Sequence, residues 1–493
     1  MSRFVCLAVF LTFPFAAFAA PPPAKPRVLE LTHATALQMA LARNFSIQVQ
    51  RFEPKIAHQG VRRELGRFDP DFTIRAERSE NTRRELFTDG VRLSVNNIER
   101  VDRLSSGLSG ITPLGTQYDL SYRTESQTGT ANFFGEDFQS GVTLALIQPL
   151  LRDFGPAVNL AQVRIARNNV RVSEWQLRQR IIDIITTTTF VYNELQLSLE
   201  NRAVAIRSRD LAQQLAHDNK EREKAGTMIP LDVIEAQAQV AAREEGVILA
   251  ERNVLDNENL LKQLCTEDII QLLGVRVEIA PPPSPMFRAD VLAGVHDAFD
   301  LRPDYRQAIL ELDQRHIRLV FSKNQVLPRI DLTGSLGLIG LDNDFGSSIN
   351  RIGASDQTAW SAGVIFSIPL GNRQARAGAE SARLEVAKQI VALKEIEQQI
   401  VVDVDNASGQ ILTSRERIVS TGEARRLARE SLEAGQERLR AGAIRTFDVL
   451  DLQEKLANAA FAEVRARSDY NKAVSEYYRQ TGTTLRVYNV VVQ

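Results

Sequence analysis

A mostly α-helical chain with a β part, built twice from the same programme, is what the sequence predicts. Three observations carry that prediction. Two very long segments, about 158–225 and 375–439, keep helical apolar spacing; the first contains no internal Pro or Gly. Four short stretches alternate apolar and polar residues, the mark of strands with one buried or lipid-covered face. A turn sequence also occurs twice, 216 residues apart: Lys224-Ala225-Gly226-Thr227-Met228-Ile229-Pro230-Leu231-Asp232-Val233-Ile234-Glu235-Ala236-Gln237 aligns without a gap on Arg440-Ala441-Gly442-Ala443-Ile444-Arg445-Thr446-Phe447-Asp448-Val449-Leu450-Asp451-Leu452-Gln453. The pair matches at Ala-Gly, Asp-Val and the final Gln.

At the N-terminus, Arg3, an apolar run from Phe4 to Phe18 and Ala17-Phe18-Ala19 have the order of a secretory signal, with cleavage expected after Ala19. Pro21, Pro22 and Pro23 block continuation as a membrane helix. Residues 1–19 are thus expected to be a signal peptide and the protein to be exported. Cys6 lies inside the signal without a lipid-attachment context, so the mature chain keeps Cys265 alone and forms no internal disulfide.

A helix is expected from Leu31 to Arg43, capped by Thr32 or Thr35, with its pattern continuing to about Leu65. A strand near 70–79 follows, where Phe72, Ile74 and Ala76 alternate with polar residues. Residues 80–137, rich in Ser, Thr, Gly, Asn and Arg, read as a long loop or an extra hairpin, with Tyr118 to Tyr122 alternating after Pro113-Leu114-Gly115. A second strand is expected near 138–149, ending at Pro149. In the long helix, Leu177, Ile181, Ile184, Thr188, Val191 and Leu195 step by four and three, as in a coiled-coil seam. At ~1.5 Å per residue it makes a rod of about 100 Å, several times a ~30 Å hydrocarbon core and too charged for lipid. Gly226 ends it, and Pro230 opens a helix to about Leu264 at a permissive first-turn position.

After Pro281-Pro282-Pro283 the programme repeats: a helix over Leu292–Ser322, strands near 328–339 and 359–369, a long helix to Leu439, the tip, and a helix from Thr446 to Thr481. The expected organisation is a first repeat over 20–280, a second over 281–481 and a C-terminal tail over 482–493. Helical parts keep their length between repeats, while the strand-to-strand connection shortens in the second, as packed rods and exposed loops should.

The 60 basic and 61 acidic residues balance, which argues against a nucleic-acid surface. The five His (His33, His58, His217, His296, His316) show no metal spacing, and neither HExxH nor GxSxG occurs. Cys265, at a helix end, reads as a buried structural thiol. An exported enzyme is therefore disfavoured, and no cofactor is expected. An exported coiled-coil structural or adhesive protein would explain the rods but not four strands flanked by Pro at matching positions. Four strands cannot close a barrel alone, yet lipid tolerates no open sheet edge, so strands in a membrane require several copies in one barrel.

Leu31-Thr32-His33-Ala34-Thr35-Ala36-Leu37 with Ala42-Arg43-Asn44, Gln148-Pro149-Leu150-Leu151-Arg152, Phe366-Ser367-Ile368-Pro369-Leu370-Gly371, and Gly442 through Gln453 together resemble the TolC-like outer-membrane efflux proteins. The resemblance covers nearly the whole mature chain. It implies a homotrimer sharing a twelve-stranded outer-membrane β-barrel, continued by an α-helical barrel in the Gram-negative periplasm. It also implies tips that dock a periplasmic adaptor, coupling to an inner-membrane pump of RND or ABC type, and no chemistry in this subunit.

Asp448 and Asp451 lie three residues apart on one helix face. Threefold symmetry would ring six carboxylates around a constriction, favouring cations, with crowding raising their pKa values. The other reading is that they are solvated helix-start acids stabilised by the helix dipole. Asp232 and Glu235 are their first-repeat equivalents. The family often places a gating Arg two residues after the tip Gly; here Ile444 holds that position and Arg445 follows, while Leu439 stands where some members use Tyr. Adaptor contact is expected at Lys224, Ala225, Gly226, Thr227 and Met228 and at Arg440, Ala441, Gly442, Ala443 and Ile444. Gly226 and Gly442 also suit a tight turn, and Lys224 and Arg440 also suit helix C-termini as cations.

Overall fold

The computed structural model describes residues 28–85, 95–130, 133, 135–281, 287–354 and 357–492. The expected signal segment, its cleavage point, Cys6, Pro282 and Pro283 lie outside these residues. The chain forms two sheets and long helices. Strand β1 (Val28–Leu31) pairs in parallel with β6 (Arg276–Ile279). A six-stranded antiparallel sheet has the order β2 (Asp71–Glu85), β3 (Val95–Ile111), β4 (Gln117–Gly129), β5 (Asp137–Pro149), β7 (Arg329–Asp342), β8 (Gln357–Ser367). The β1–β6 pair has no counterpart in the sequence reading, because strands of four residues carry too little alternation.

The N-terminal helical stretch is three pieces: α1 (His33–Arg43), α2 (Phe45–Gln50) and α3 (Phe52–Leu65). Thr32 caps α1, its hydroxyl accepting from the Thr35 amide at 3.2 Å while Thr35 Oγ1 accepts from the Thr32 amide at 2.9 Å. Asn44 breaks the helix in extended backbone and caps α2 through Ser46 N–H at 2.9 Å. Beyond β5 come a short helix α4 (Pro156–Asn159), the rod α5 (Ala161–Lys224) and α6 (Pro230–Cys265). The single helix expected over 292–322 is two, α7 (Val291–Leu301) and α8 (Pro303–Gln325). Pro303 is the cause: it disfavours helical backbone at the residue before it, and Arg302 is extended at ψ 124°. Helix α9 (Phe345–Ala354) fills the β7–β8 connection; α10 (Arg373–Arg440), α11 (Thr446–Gln480) and α12 (Thr484–Val487) complete the chain.

The sheet carries six strands where the sequence reading counted four. Of the two readings of 80–137, the chain takes the hairpin, β3 with β4. Its register produces one continuous row of large apolar side chains, Phe72, Leu108, Leu120, Leu144, Leu336 and Trp360, each directly opposite the next. All six are exposed, between 37% and 77%. On the other face the adjacent row is Thr73, Gly107, Ser121, Thr143, Gly337 and Ala359. Along these rows one face of the sheet is apolar and the other small or polar.

The rods pack as α5 with α6 and α10 with α11, each pair returning from its turn. Leu177, Ile181, Ile184, Thr188 and Leu195 of the predicted seam are buried, and Val191 packs against the same core. Fully buried Tyr192 fastens β1 and the residue after β6 to α5, its hydroxyl donating to Ala280 O at 2.6 Å and lying 3.2 Å from Leu31 O. Tyr477 repeats the device in the second half, donating to Asp290 O at 2.7 Å. The C-terminal segment packs back on the first half, with Leu485, Tyr488, Val490 and Val492 against its core.

Candidate functional site: the paired helical tips

Both rods end in the same hydrogen-bonded turn. At the first tip, Gly226 has φ +74°; its N–H donates to Glu223 O at 2.9 Å, and Thr227 N–H donates to Arg222 O at 2.9 Å. At the second, Gly442 has φ +72°, its N–H donates to Leu439 O at 3.1 Å, and Ala443 N–H donates to Arg438 O at 2.8 Å. These 6→1 and 5→2 bonds satisfy the last carbonyls of each rod and need a left-handed residue between them, which glycine supplies without steric cost. Lys224 and Arg440 cap the same ends as cations and pair with the acid one turn back, Glu221 and Glu437, each at 2.7 Å. Those pairs are exposed and contribute little stability.

A small apolar core joins the two tips: Leu215, Leu432, Leu439, Val449 and Leu450 are buried, and Ile444 and Leu452 pack on them. Ile444 is therefore half-buried in this core, and Leu439 lies inside it. Arg445 is exposed and gives α11 its N-cap backbone; among the described residues no carboxylate lies within ion-pair distance of it. Ala225, Gly226, Thr227, Arg440, Ala441, Gly442 and Ala443 are exposed, and Met228 is half-buried, so the turns present mainly backbone and small side chains.

The acidic candidates divide by bonding. Asp448 accepts from the Arg445 amide at 3.0 Å, a helix-start role, yet stays exposed. Asp451, on the same solvent-facing side, pairs with Lys455 at 2.6 Å and is half-exposed. Asp232 and Glu235 occupy the equivalent first turn of α6 and are half-buried. Within one chain the four carboxylates do not form a cluster with each other. Among the described residues no group of three or more His, Cys, Asp or Glu is placed to hold a metal ion.

Three residues were not singled out from sequence. Asn219 is fully buried between the tips, its amide donating to Thr446 Oγ1 at 3.2 Å and reaching Asp232 O at 3.4 Å. Arg222 reaches Leu439 O at 3.4 Å. Asn219 corresponds to Gly435 in the second repeat, where a side chain would run into Leu452. The duplicated tips are thus joined by bonds that are not themselves duplicated. An Asn within a long polar helix carries no pattern signal; only its mismatch with Gly435 marks it.

Residues 294–483 match the family model described as outer membrane efflux protein. The fold agrees over far more of the chain. The Campylobacter jejuni CmeC outer membrane channel superposes with a TM-score of 0.68 at 16% identity, covering 91% of this chain and 85% of that one. Vibrio cholerae VceC, an outer membrane protein, gives 0.66 at 16% identity over 91% and 96%. The open state of the Neisseria gonorrhoeae MtrE outer membrane channel gives 0.62 at 17% identity over 91% and 88%. Nodulation protein T of Rhizobium leguminosarum bv. trifolii is 26% identical over 261 residues, 51% of this chain and 53% of that protein, so the match spans about half of that relative. Residues 294–483 thus match the outer membrane efflux protein model, and the chain shares the fold of outer-membrane channels over nearly its whole length.

Proposed function

We propose that the chain is the outer-membrane duct of a tripartite efflux or type I secretion system in a Gram-negative envelope. Three copies pool their sheets into one barrel in the outer membrane. Their rods extend into the periplasm, and the tips dock an adaptor that couples them to an inner-membrane pump of RND or ABC type. The observation that carries this reading is a sheet apolar on one exposed face, open at both edges and continuous with rods of ~100 Å. Such a sheet is compatible with lipid only when copies close its edges, and no helix among the described residues is long and apolar enough to cross a membrane.

At the tips, Asp448 and Asp451 stand at the pore mouth, with Asp232 and Glu235 behind them and Arg445 at the rim. The backbone-rich turns at Lys224–Met228 and Arg440–Ile444 form the adaptor face. Three copies of Asp448 and Asp451 give a ring of six carboxylates, which attracts cations and repels anions. Reconstitution in planar bilayers tests this: the purified chain, a trimer from the outer-membrane fraction, should conduct with cation preference. Replacing both Asp448 and Asp451 by Ala should weaken that preference and the block by trivalent cations. A soluble, non-conducting periplasmic monomer would sink the duct; an unchanged selectivity would move the gate elsewhere.

A further inference from the structure

We infer that the barrel wall formed by three copies has eighteen strands, because β3 and β4 belong to the wall rather than to an external loop; this rests on the trimeric duct proposed above. Four features support it. First, the hairpin lies inside the sheet, with β3 bonded to β2 along its length and β4 bonded to β5, so β2 and β5 do not touch each other. Second, β3 and β4 contribute to the apolar row at its own level, with Leu108 and Leu120 set between Phe72 and Leu144. The neighbouring rows agree, since Leu104 stands beside Ala76, and Tyr118 and Tyr122 stand beside Leu146 and Val142. A loop folded outside a membrane would have no reason to match the belt's height.

Third, the apolar band has limits on the same face. One step beyond Ala76 and Leu104, Arg78 pairs with Asp102 at 3.3 Å, and the next step pairs Arg100 with Glu80 at 2.9 Å. On β7 the apolar positions run from Ile330 to Leu338, roughly 27 Å along a strand and about 20 Å tall at a usual barrel tilt, close to the ~25 Å lipid-facing band of such barrels. Fourth, the opposite end of the hairpin is locked to the start of the rod. Gly115, at φ +93°, closes the turn, and Gly155 N–H donates to Leu114 O at 3.0 Å; Thr116 Oγ1 donates to Gln148 at 2.5 Å.

The edges are β2 and β8, both exposed along their described positions. Six alternating strands leave these edges running in opposite directions, so β2 of one copy meets β8 of the next as an antiparallel pair. Three sheets of six strands then close without a parallel seam. Barrel diameter grows about linearly with strand number, so the lumen is about 1.5 times as wide as in a ring of twelve.

Electron cryomicroscopy of the full-length trimer in lipid nanodiscs reads the strand number directly, and eighteen is expected. A variant lacking residues 95–136 keeps 86–94 as the link between β2 and β5 and should form twelve. From the extracellular side, the full chain should admit polyethylene glycols about 1.5 times larger in hydrodynamic radius than that variant admits. A trimer whose wall has twelve strands, with 95–129 lying off it, would overturn the inference and leave the duct intact. Absence of a trimer in the unmodified chain would overturn the duct itself. Should the shortened variant not fold, the strand number of the unmodified trimer still decides.

Discussion

His33 is the side chain that most directly ties pH to the fold. It sits half-buried at the start of α1, its Nε2 3.1 Å from Thr189 Oγ1 and its ring 5.3 Å from that of Tyr192. Burial holds its pKa below the ordinary 6.5, so the folded chain resists protonation that the unfolded chain accepts. The stability from the neutral ring is complete above about pH 6.5 and drains away as pH falls from there towards the folded pKa. Thermal melts of the assembled protein should therefore drop between pH 7 and pH 5, and His33→Gln should flatten that drop. Cys265, 1% exposed, is pushed up to about 11 by burial, which makes it the inert thiol that its helix-end position suggested. At the tips, both glycines were legible because a left-handed turn leaves few residue choices. The burial of Ile444 was not legible, since the alternation of exposed and buried positions within a turn follows no helical period.

Elements show where sequence patterns succeed and where they fail. The rods were readable because dozens of residues repeat one spacing, and α5 and α10 end at Lys224 and Arg440, one residue from the expected ends at 225 and 439. Strand β3 was hidden for a definite reason: Val101 is apolar on one face while Leu104 and Leu108 are apolar on the other, which breaks the alternation, and Ser105, Ser106 and Gly107 dilute what remains. Its membership came from the register, a property of two strands rather than one. The two faces predict opposite tolerance. In the proposed barrel, Leu144→Arg puts a charge in the row that faces lipid and should cost about 2–4 kcal/mol. Thr143→Arg, next along β5 and on the opposite face of the sheet, should cost far less. Urea titrations of folding into lipid vesicles would separate the two; equal effects would mean that the faces do not differ in their contact with lipid, and a larger cost at Thr143 that they have been assigned the wrong way round.

The whole molecule is constrained by length. Two rods of 64 and 68 residues and two returning helices of 36 and 35 meet at one pair of tips and share one apolar core there. Deleting seven residues from α10 alone removes about 10 Å of rod from one side. The second tip would retreat from Asn219 and Leu215, and trimers recovered from the outer membrane should fall sharply. Deleting seven residues from each of α5, α6, α10 and α11 at one level shortens both sides together and should restore trimers and conductance. Duplication itself was visible in the tips, but the bonds that join them were not, since Asn219 and Gly435 have no resemblance to each other. The β3–β4 hairpin has a last consequence, for how such a wall can change over generations. In a barrel made by one chain, a new hairpin adds two strands. In a wall assembled by threes, one gene-level insertion is copied into every subunit, so girth rises in jumps of six strands and intermediate sizes are never sampled.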